Sequence, residues 1–98
     1  RVGTVIKAEM LKGARKPAYK VWIDFGEYLG VKKSSAQITQ HYTIKDLVDK
    51  QVLAVVNFPS KQIGSFMSEV LITGLADHEG HVVLISPDKV VPNGSTLF

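Results

Sequence analysis

Apolar and polar residues alternate from the start of the chain. Val2, Thr4, Ile6, Ala8 and Met10 interleave with Gly3, Val5, Lys7 and Glu9, a period of two that predicts a half-buried strand from Arg1 to about Met10. Lys12-Gly13-Ala14-Arg15-Lys16-Pro17 then interrupts the pattern with glycine and proline. Alternation resumes at Tyr19, Val21, Ile23 and Phe25, which predicts a second strand from Tyr19 to Phe25. Gly26 to Gly30 reads as a turn, and Val31 to Ile38 as a more polar third strand that ends near Thr39.

Thr43, followed three residues later by Asp46 and with Ile44, Leu47 and Val48 on one face, predicts a short helix capped by Thr43. Val52 to Phe58 is almost wholly apolar and rich in valine, the pattern of a central strand buried on both faces. A loop from Pro59 to Phe66, a strand from Ser68 to Leu75, a turn from Asp77 to Gly80 and a strand from Val82 to Ile85 follow. The tail, Pro87 to Phe98, carries Pro92-Asn93-Gly94 and has room for a final turn and a short pairing segment. This order predicts an all-β domain with one small helix: a five-stranded Greek-key barrel of the OB type, its helix between strands three and four. No repeat, linker or low-complexity segment interrupts it.

Composition narrows the class. At 98 residues there is enough chain for one core and one domain, residues 1–98. A 45% apolar content is too high for a disordered chain, yet no apolar run approaches the roughly 20 residues of a membrane span, so no membrane insertion is expected. The absence of cysteine excludes disulfides, thiolate catalysis and Cys-based zinc sites. No basic, then apolar, secretory leader opens the chain, so the cytoplasm is the expected compartment. Because Arg1 already stands in a strand pattern and is not Met, a natural N-terminal segment is expected to precede it.

Twelve Lys and Arg against nine Asp and Glu leave a net charge of +3, and the basic residues cluster. Lys12, Arg15, Lys16 and Lys20 surround one loop, Lys32 and Lys33 lie on the next strand, and Lys61 follows the valine-rich strand. These seven are candidate phosphate contacts, with a solvated loop and strand face as the plainer reading. On the second strand Trp22 faces away from Tyr19, Val21, Ile23 and Phe25, which makes it either a binding platform or an anchor at a dimer interface.

Three blocks place small polar residues inside or at the ends of apolar strands: Ser34-Ser35-Ala36-Gln37-Ile38-Thr39, Val55-Val56-Asn57-Phe58-Pro59 and Ser68-Glu69-Val70-Leu71. An unpaired buried amide or hydroxyl costs about 1–3 kcal/mol, so these groups either satisfy one another or face a ligand. Asn57 and Ser68 are placed to bond each other, the backbone or a bound peptide, and Ser34, Ser35 and Gln37 carry the same two readings. Phe58, Phe66 and Met67 bracket the loop before the fifth strand and either close the core or form an apolar pocket.

Asp77-His78-Glu79-Gly80-His81 has metal-ligating residue types, but its glycine and flanking strands favour a hairpin turn, with His41 in a loop and no metal site expected. Asn93-Gly94-Ser95 matches a glycosylation sequon that a chain without a secretory leader does not use. Asp46 and Asp49 read as helix-surface acids. No phosphate loop, nucleophile elbow or HExxH is present, so neither enzyme activity nor a cofactor is expected.

Together with Asp24-Phe25-Gly26, Pro87-Asp88 and Val91-Pro92-Asn93-Gly94, the three polar blocks make nearly the whole chain resemble the tRNA-binding OB-fold domain family, and within it the CsaA-type protein-export chaperones. The resemblance implies a homodimeric, non-catalytic protein that binds unfolded polypeptides or preproteins on their way to the export machinery, or else a structure-specific tRNA-binding protein. The wider family pattern is Ser-x-Gly-Met where this chain has Ser68-Glu69-Val70-Leu71, a departure that turns the reading toward polypeptide. On that reading Trp22, Gln37, Asn57, Phe58, Phe66, Met67 and Ser68 contact peptide, while the seven basic residues serve tRNA.

Overall fold

The computed structural model describes every residue from Arg1 to Phe98. Regular alternation produces the most regular strand. β2 (Tyr19–Asp24) buries Tyr19, Val21 and Ile23, with Phe25 just beyond it, and turns Lys20, Trp22 and Asp24 outward. It pairs antiparallel with β1 (Val2–Met10) on one side and β3 (Val31–Ala36) on the other. α1 (Ile44–Leu47) follows, then β4 (Gln51–Val55), β5 (Lys61–Ile63), β6 (Phe66–Ser68), β7 (Leu71–Ile72), β8 (Gly74–Ala76) and β9 (Val82–Leu84). The main sheet has the order β3-β2-β1-β4-β7, while β5–β6 and β8–β9 form separate hairpins. This is the expected small OB-like, all-β architecture, with its helix between the third and fourth strands. No helix is long and apolar enough to cross a membrane.

Three strand expectations need correction. β1 does not alternate throughout: a bulge between Val5 and Lys7 shifts its register against β2. An extra residue in one strand reverses the facing of all that follow. Val5 and Ala8 therefore enter the core, three positions apart, while Ile6 is 48% exposed. Second, β1 and not β4 is the middle strand of the sheet, and β4 buries only Val52 and Ala54 while Leu53 and Val55 stay half exposed. Burial on both faces requires a layer on each side, and no helix covers the outer face of this sheet. Third, the loop after Pro59 contains the β5–β6 hairpin, and the strand expected from Ser68 to Leu75 is broken into pieces of β6, β7 and β8.

That last break has a hydrogen-bonding cause. Ser68 and Glu69 leave the ladder to reach β3: the Ser35 amide donates to Ser68 Oγ (3.0 Å), the Glu69 amide to the Lys33 carbonyl (2.8 Å), and the Lys33 amide to the Glu69 carboxylate (3.2 Å). Thr73 returns to β4, its amide and hydroxyl both donating to the Leu53 carbonyl. The main core gathers Val5, Val21, Ile23, Phe25, Leu47 and Val52 with their neighbours, and a smaller cluster of Leu11, Ala18 and Phe66 sits apart from it.

The tail forms the expected turn and a short pairing with β1. The Val2 amide donates to the Ser95 carbonyl and the Gly94 amide to the Val2 carbonyl. Gly94 has φ +93°, and a Cβ there would stand 2.7 Å from the Phe25 carbonyl oxygen, so both conformation and space call for glycine.

α1 carries the capping box expected from Thr43 and Asp46. The Asp46 amide donates to Thr43 Oγ1 (3.2 Å) and the Thr43 amide to the Asp46 carboxylate (2.9 Å). Hydrogen bonding from the Thr43 backbone amide, and after it from the Thr43 side chain, lowers the Asp46 pKa from 3.8. Thr43→Ala is expected to reduce stability by about 1 kcal/mol, read as a lower urea midpoint. Because the folded-state pKa of Asp46 is depressed, its contribution is complete above pH 3.8 and disappears as pH falls through the folded value. The gap between wild type and Asp46→Ala should therefore narrow in acid, and an unchanged gap would contradict this role.

Candidate functional site

β3 and β7 are the two outer strands of the main sheet, and the seam between them is closed by side-chain and backbone bridges, not by a full ladder. A groove of about 390 Å³ opens along this seam. Ala36, Gln37 and Ile38 line it from the end of β3, and Val70, Leu71 and Ile72 from the β7 side. Phe58 (57% exposed) and Leu71 (50% exposed) contribute apolar surface that the fold itself leaves uncovered. Lys61 supplies a cation on the lining.

Gln37 also lines two neighbouring depressions. In one, Arg15 and Lys16 of the β1–β2 loop face Ile63 and Gly64. In the other, Lys16 meets Gln40 and His81. The apolar groove thus continues into a basic one under that loop.

The outer face of β2 and β3 is a different surface. Trp22 and Phe66 meet edge to face with ring centroids 6.1 Å apart. Lys7 stands over the Trp22 ring at 4.7 Å, and Lys20 and Lys33 approach the Phe66 ring at 5.7 and 5.4 Å. An ammonium within about 6 Å of an aromatic centroid is attracted by the ring quadrupole, so these lysines are held close to the rings. Lys7 belongs to this surface although it is not among the seven basic residues singled out in the sequence. The bulge in β1 explains the omission, since it opposes Lys7 to Trp22 across the strands.

Several sequence candidates take other positions. Phe66 is only 6% exposed and closes the smaller core cluster, so it does not offer a pocket wall. Trp22 is half buried beside it and lies outside the seam groove. Ser68 lines the groove, but its hydroxyl accepts from Ser35 and donates to the Val70 carbonyl (3.3 Å). Ser34 is fully buried, with its hydroxyl donating to the Ser35 carbonyl. No buried side-chain polar atom lacks a partner. Asn57 does not bond Ser68; it is exposed beyond the end of β4 and lines a separate depression with Thr73 and Leu97. Met67 is partly exposed on β6. Lys32 and Lys33 do not form one patch, because consecutive strand residues point to opposite faces: Lys32 is opposite Ile23 and Lys33 opposite Trp22. Lys12 is exposed in its loop and lines none of these depressions.

One grouping was not legible in the sequence. His41, from the turn before α1, meets Asp77 and His81, which close the β8–β9 hairpin. His41 Nε2 lies 2.6 Å from Asp77 Oδ2, and the two histidine rings have centroids 5.8 Å apart. His41 is a loop residue, as expected, but its loop packs against the hairpin. The His41 bond, with the His81 amide next, holds the Asp77 carboxyl at about 2.

Comparison with known proteins places these surfaces in context. The chaperone CsaA from Bacillus anthracis str. Ames has a crystal structure that superposes with TM-score 0.93 and 51% identity, over all of this chain and 88% of that one. CsaA from Picrophilus torridus gives TM-score 0.93 and 47% identity, over all of this chain and 89% of that one. Methionine--tRNA ligase from Methanothrix thermoacetophila is 37% identical over 94 residues, which is 96% of this chain but 13% of the ligase, so the chain spans a small fraction of that relative. The family model described as "Putative tRNA binding domain" matches residues 1–96, and the chain belongs to that tRNA-binding domain family.

Proposed function

We propose that this protein is a non-catalytic chaperone of the CsaA type, which holds unfolded or export-bound polypeptide in the seam groove between β3 and β7. The observation that carries this reading is the groove's exposed apolar lining, Phe58 and Leu71, at the unclosed edge of a sheet. Apolar surface left open at such an edge suits an extended segment, which contributes its side chains to pockets and its backbone to strand edges. Gln37 and Lys61 supply polar and cationic contacts around it. The likeness to two solved CsaA chaperones supports the same reading. The proposed setting is the cytoplasm, where clients are handed to the export machinery. A second copy of the chain is the proposed cover for the apolar surface at the chain ends, where Leu97 and Phe98 are exposed.

A second reading, tRNA binding, is favoured by the outer platform, where Lys7, Lys20 and Lys33 surround Trp22 and Phe66. Cations that track phosphates beside an aromatic ring are what a single-stranded nucleic acid requires. Arg15 and Lys16 extend the positive surface.

Salt separates the two. Phosphate contacts release counterions, so tRNA affinity should fall steeply with rising salt, whereas apolar capture of polypeptide should hold or strengthen. Binding of bulk tRNA and of an unfolded signal-bearing precursor would be titrated on one preparation. Salt-resistant precursor binding supports the chaperone reading. Salt-sensitive tRNA binding with no precursor binding overturns it in favour of the second. Trp22→Ala is expected to weaken tRNA binding and leave precursor binding nearly unchanged, because Trp22 lies outside the groove.

A further inference from the structure

We propose that His41, Asp77 and His81 form a binding site for a divalent transition-metal cation of the zinc type. One ligand atom from each of the three residues falls within 4.8 Å of the others. Tetrahedral zinc with nitrogen and oxygen ligands at about 2.0–2.2 Å needs ligand atoms about 3.3 Å apart, so modest side-chain rotation closes the set. Two imidazoles and one carboxylate suit a borderline cation such as Zn²⁺ better than the hard ions Mg²⁺ and Ca²⁺, which prefer oxygen alone.

The surrounding bonds orient these ligands. Asp77 Oδ1 accepts from the amides of Glu79 (2.8 Å) and His81 (2.9 Å), which leaves Oδ2 turned toward His41. The Asp77 amide donates to the His81 carbonyl (2.9 Å) and fixes the two hairpin ligands relative to each other. On the other side, Tyr42 anchors the turn that bears His41. Its carbonyl accepts from the Tyr19 hydroxyl (2.7 Å), and its own hydroxyl accepts from the Leu84 amide (2.9 Å) on β9. The His41 segment and the hairpin are therefore tied together independently of the three ligands. Outer bonds of this kind are what hold metal ligands in place, and their loss commonly costs tenfold or more in affinity.

A cation here takes the place now bridged by the His41–Asp77 hydrogen bond. It joins the β3–α1 connection to the β8–β9 hairpin, and with three protein ligands it keeps a coordination position open.

The test is titration of Co²⁺, an optical stand-in for zinc, into the 98-residue chain, followed by displacement with Zn²⁺. Intense visible d–d bands that Zn²⁺ abolishes are expected. His41→Ala, His81→Ala and Asp77→Asn should each weaken binding by about tenfold or more, while His78→Ala, outside the group, should leave it intact. Asp77→Asn keeps a carbonyl oxygen for the turn amides, and far-UV circular dichroism of each variant confirms folding. The proposal is overturned if the cobalt spectrum stays that of the aqua ion, or if binding survives His41→Ala and His81→Ala in folded protein. Binding that depends on His78 overturns it as well.

Discussion

Phe25→Ala is expected to lower the unfolding free energy by about 3–5 kcal/mol, the largest effect of any single truncation considered for this chain. The ring is 1% exposed and belongs to the main core. It also packs where no other residue can follow it. A Cβ built on Gly3 would stand 2.7 Å from the Phe25 ring and 2.5 Å from Ile23, so backbone and side chain are already in close approach there. A cavity at this position is bordered by β1, β2 and the tail turn, which bond one another and have little freedom to collapse. Domains of this size have about 5–15 kcal/mol of stability in all, so a large share of the folded population is lost on mild denaturation. Guanidinium unfolding should show a much lower midpoint with an unchanged slope. A loss below about 1 kcal/mol would mean that the site closes over the missing ring.

Leu71→Asp is expected to reduce affinity for an unfolded polypeptide by tenfold or more while leaving the fold intact. Leu71 is half exposed, so its replacement costs the folded state little burial, but it faces the seam groove in which the polypeptide is proposed to lie. A carboxylate there must be desolvated without a partner whenever an apolar segment enters, and truncating a central apolar anchor alone commonly costs more than 1 kcal/mol of binding. Phe58→Asp should act in the same direction. Fluorescence anisotropy with a labelled unfolded precursor measures both, and tRNA binding serves as the comparison. Equal loss toward precursor and tRNA would show that one surface serves both ligands; undiminished precursor binding would remove the groove from the proposed function.

The strands whose physics is local were legible. β2 alternates without interruption, and its inward residues could be read off directly; the Thr43–Asp46 cap is encoded within four positions and formed as read. β1 was misread because a bulge between Val5 and Lys7 is a property of pairing with β2, and nothing in the run of side chains announces it. β4 was misread because valine-rich composition describes a strand that can be covered on both sides, not one that is. The polar blocks were correctly seen as needing partners, but partner choice is long-range: Ser68 found Ser35, 33 positions away, instead of Asn57. His41 and Asp77 are separated by 36 positions and meet only because the first turn beyond β3 packs on the β8–β9 hairpin. Sequence spacing identifies metal ligands when they share a helix or a loop, and here they do not.

The tail turn that straps onto β1 bears on chain connectivity. Ser95, three residues from the C-terminal end, accepts from the amide of Val2, so Phe98 lies within about 11 Å of extended backbone from a residue already paired with the second of the chain. A short glycine linker from Phe98 to Arg1 should therefore close the chain into a ring with the sheet order intact. New ends cut beside Gly13, whose surroundings are open, should then give a circular permutant that folds with the same core.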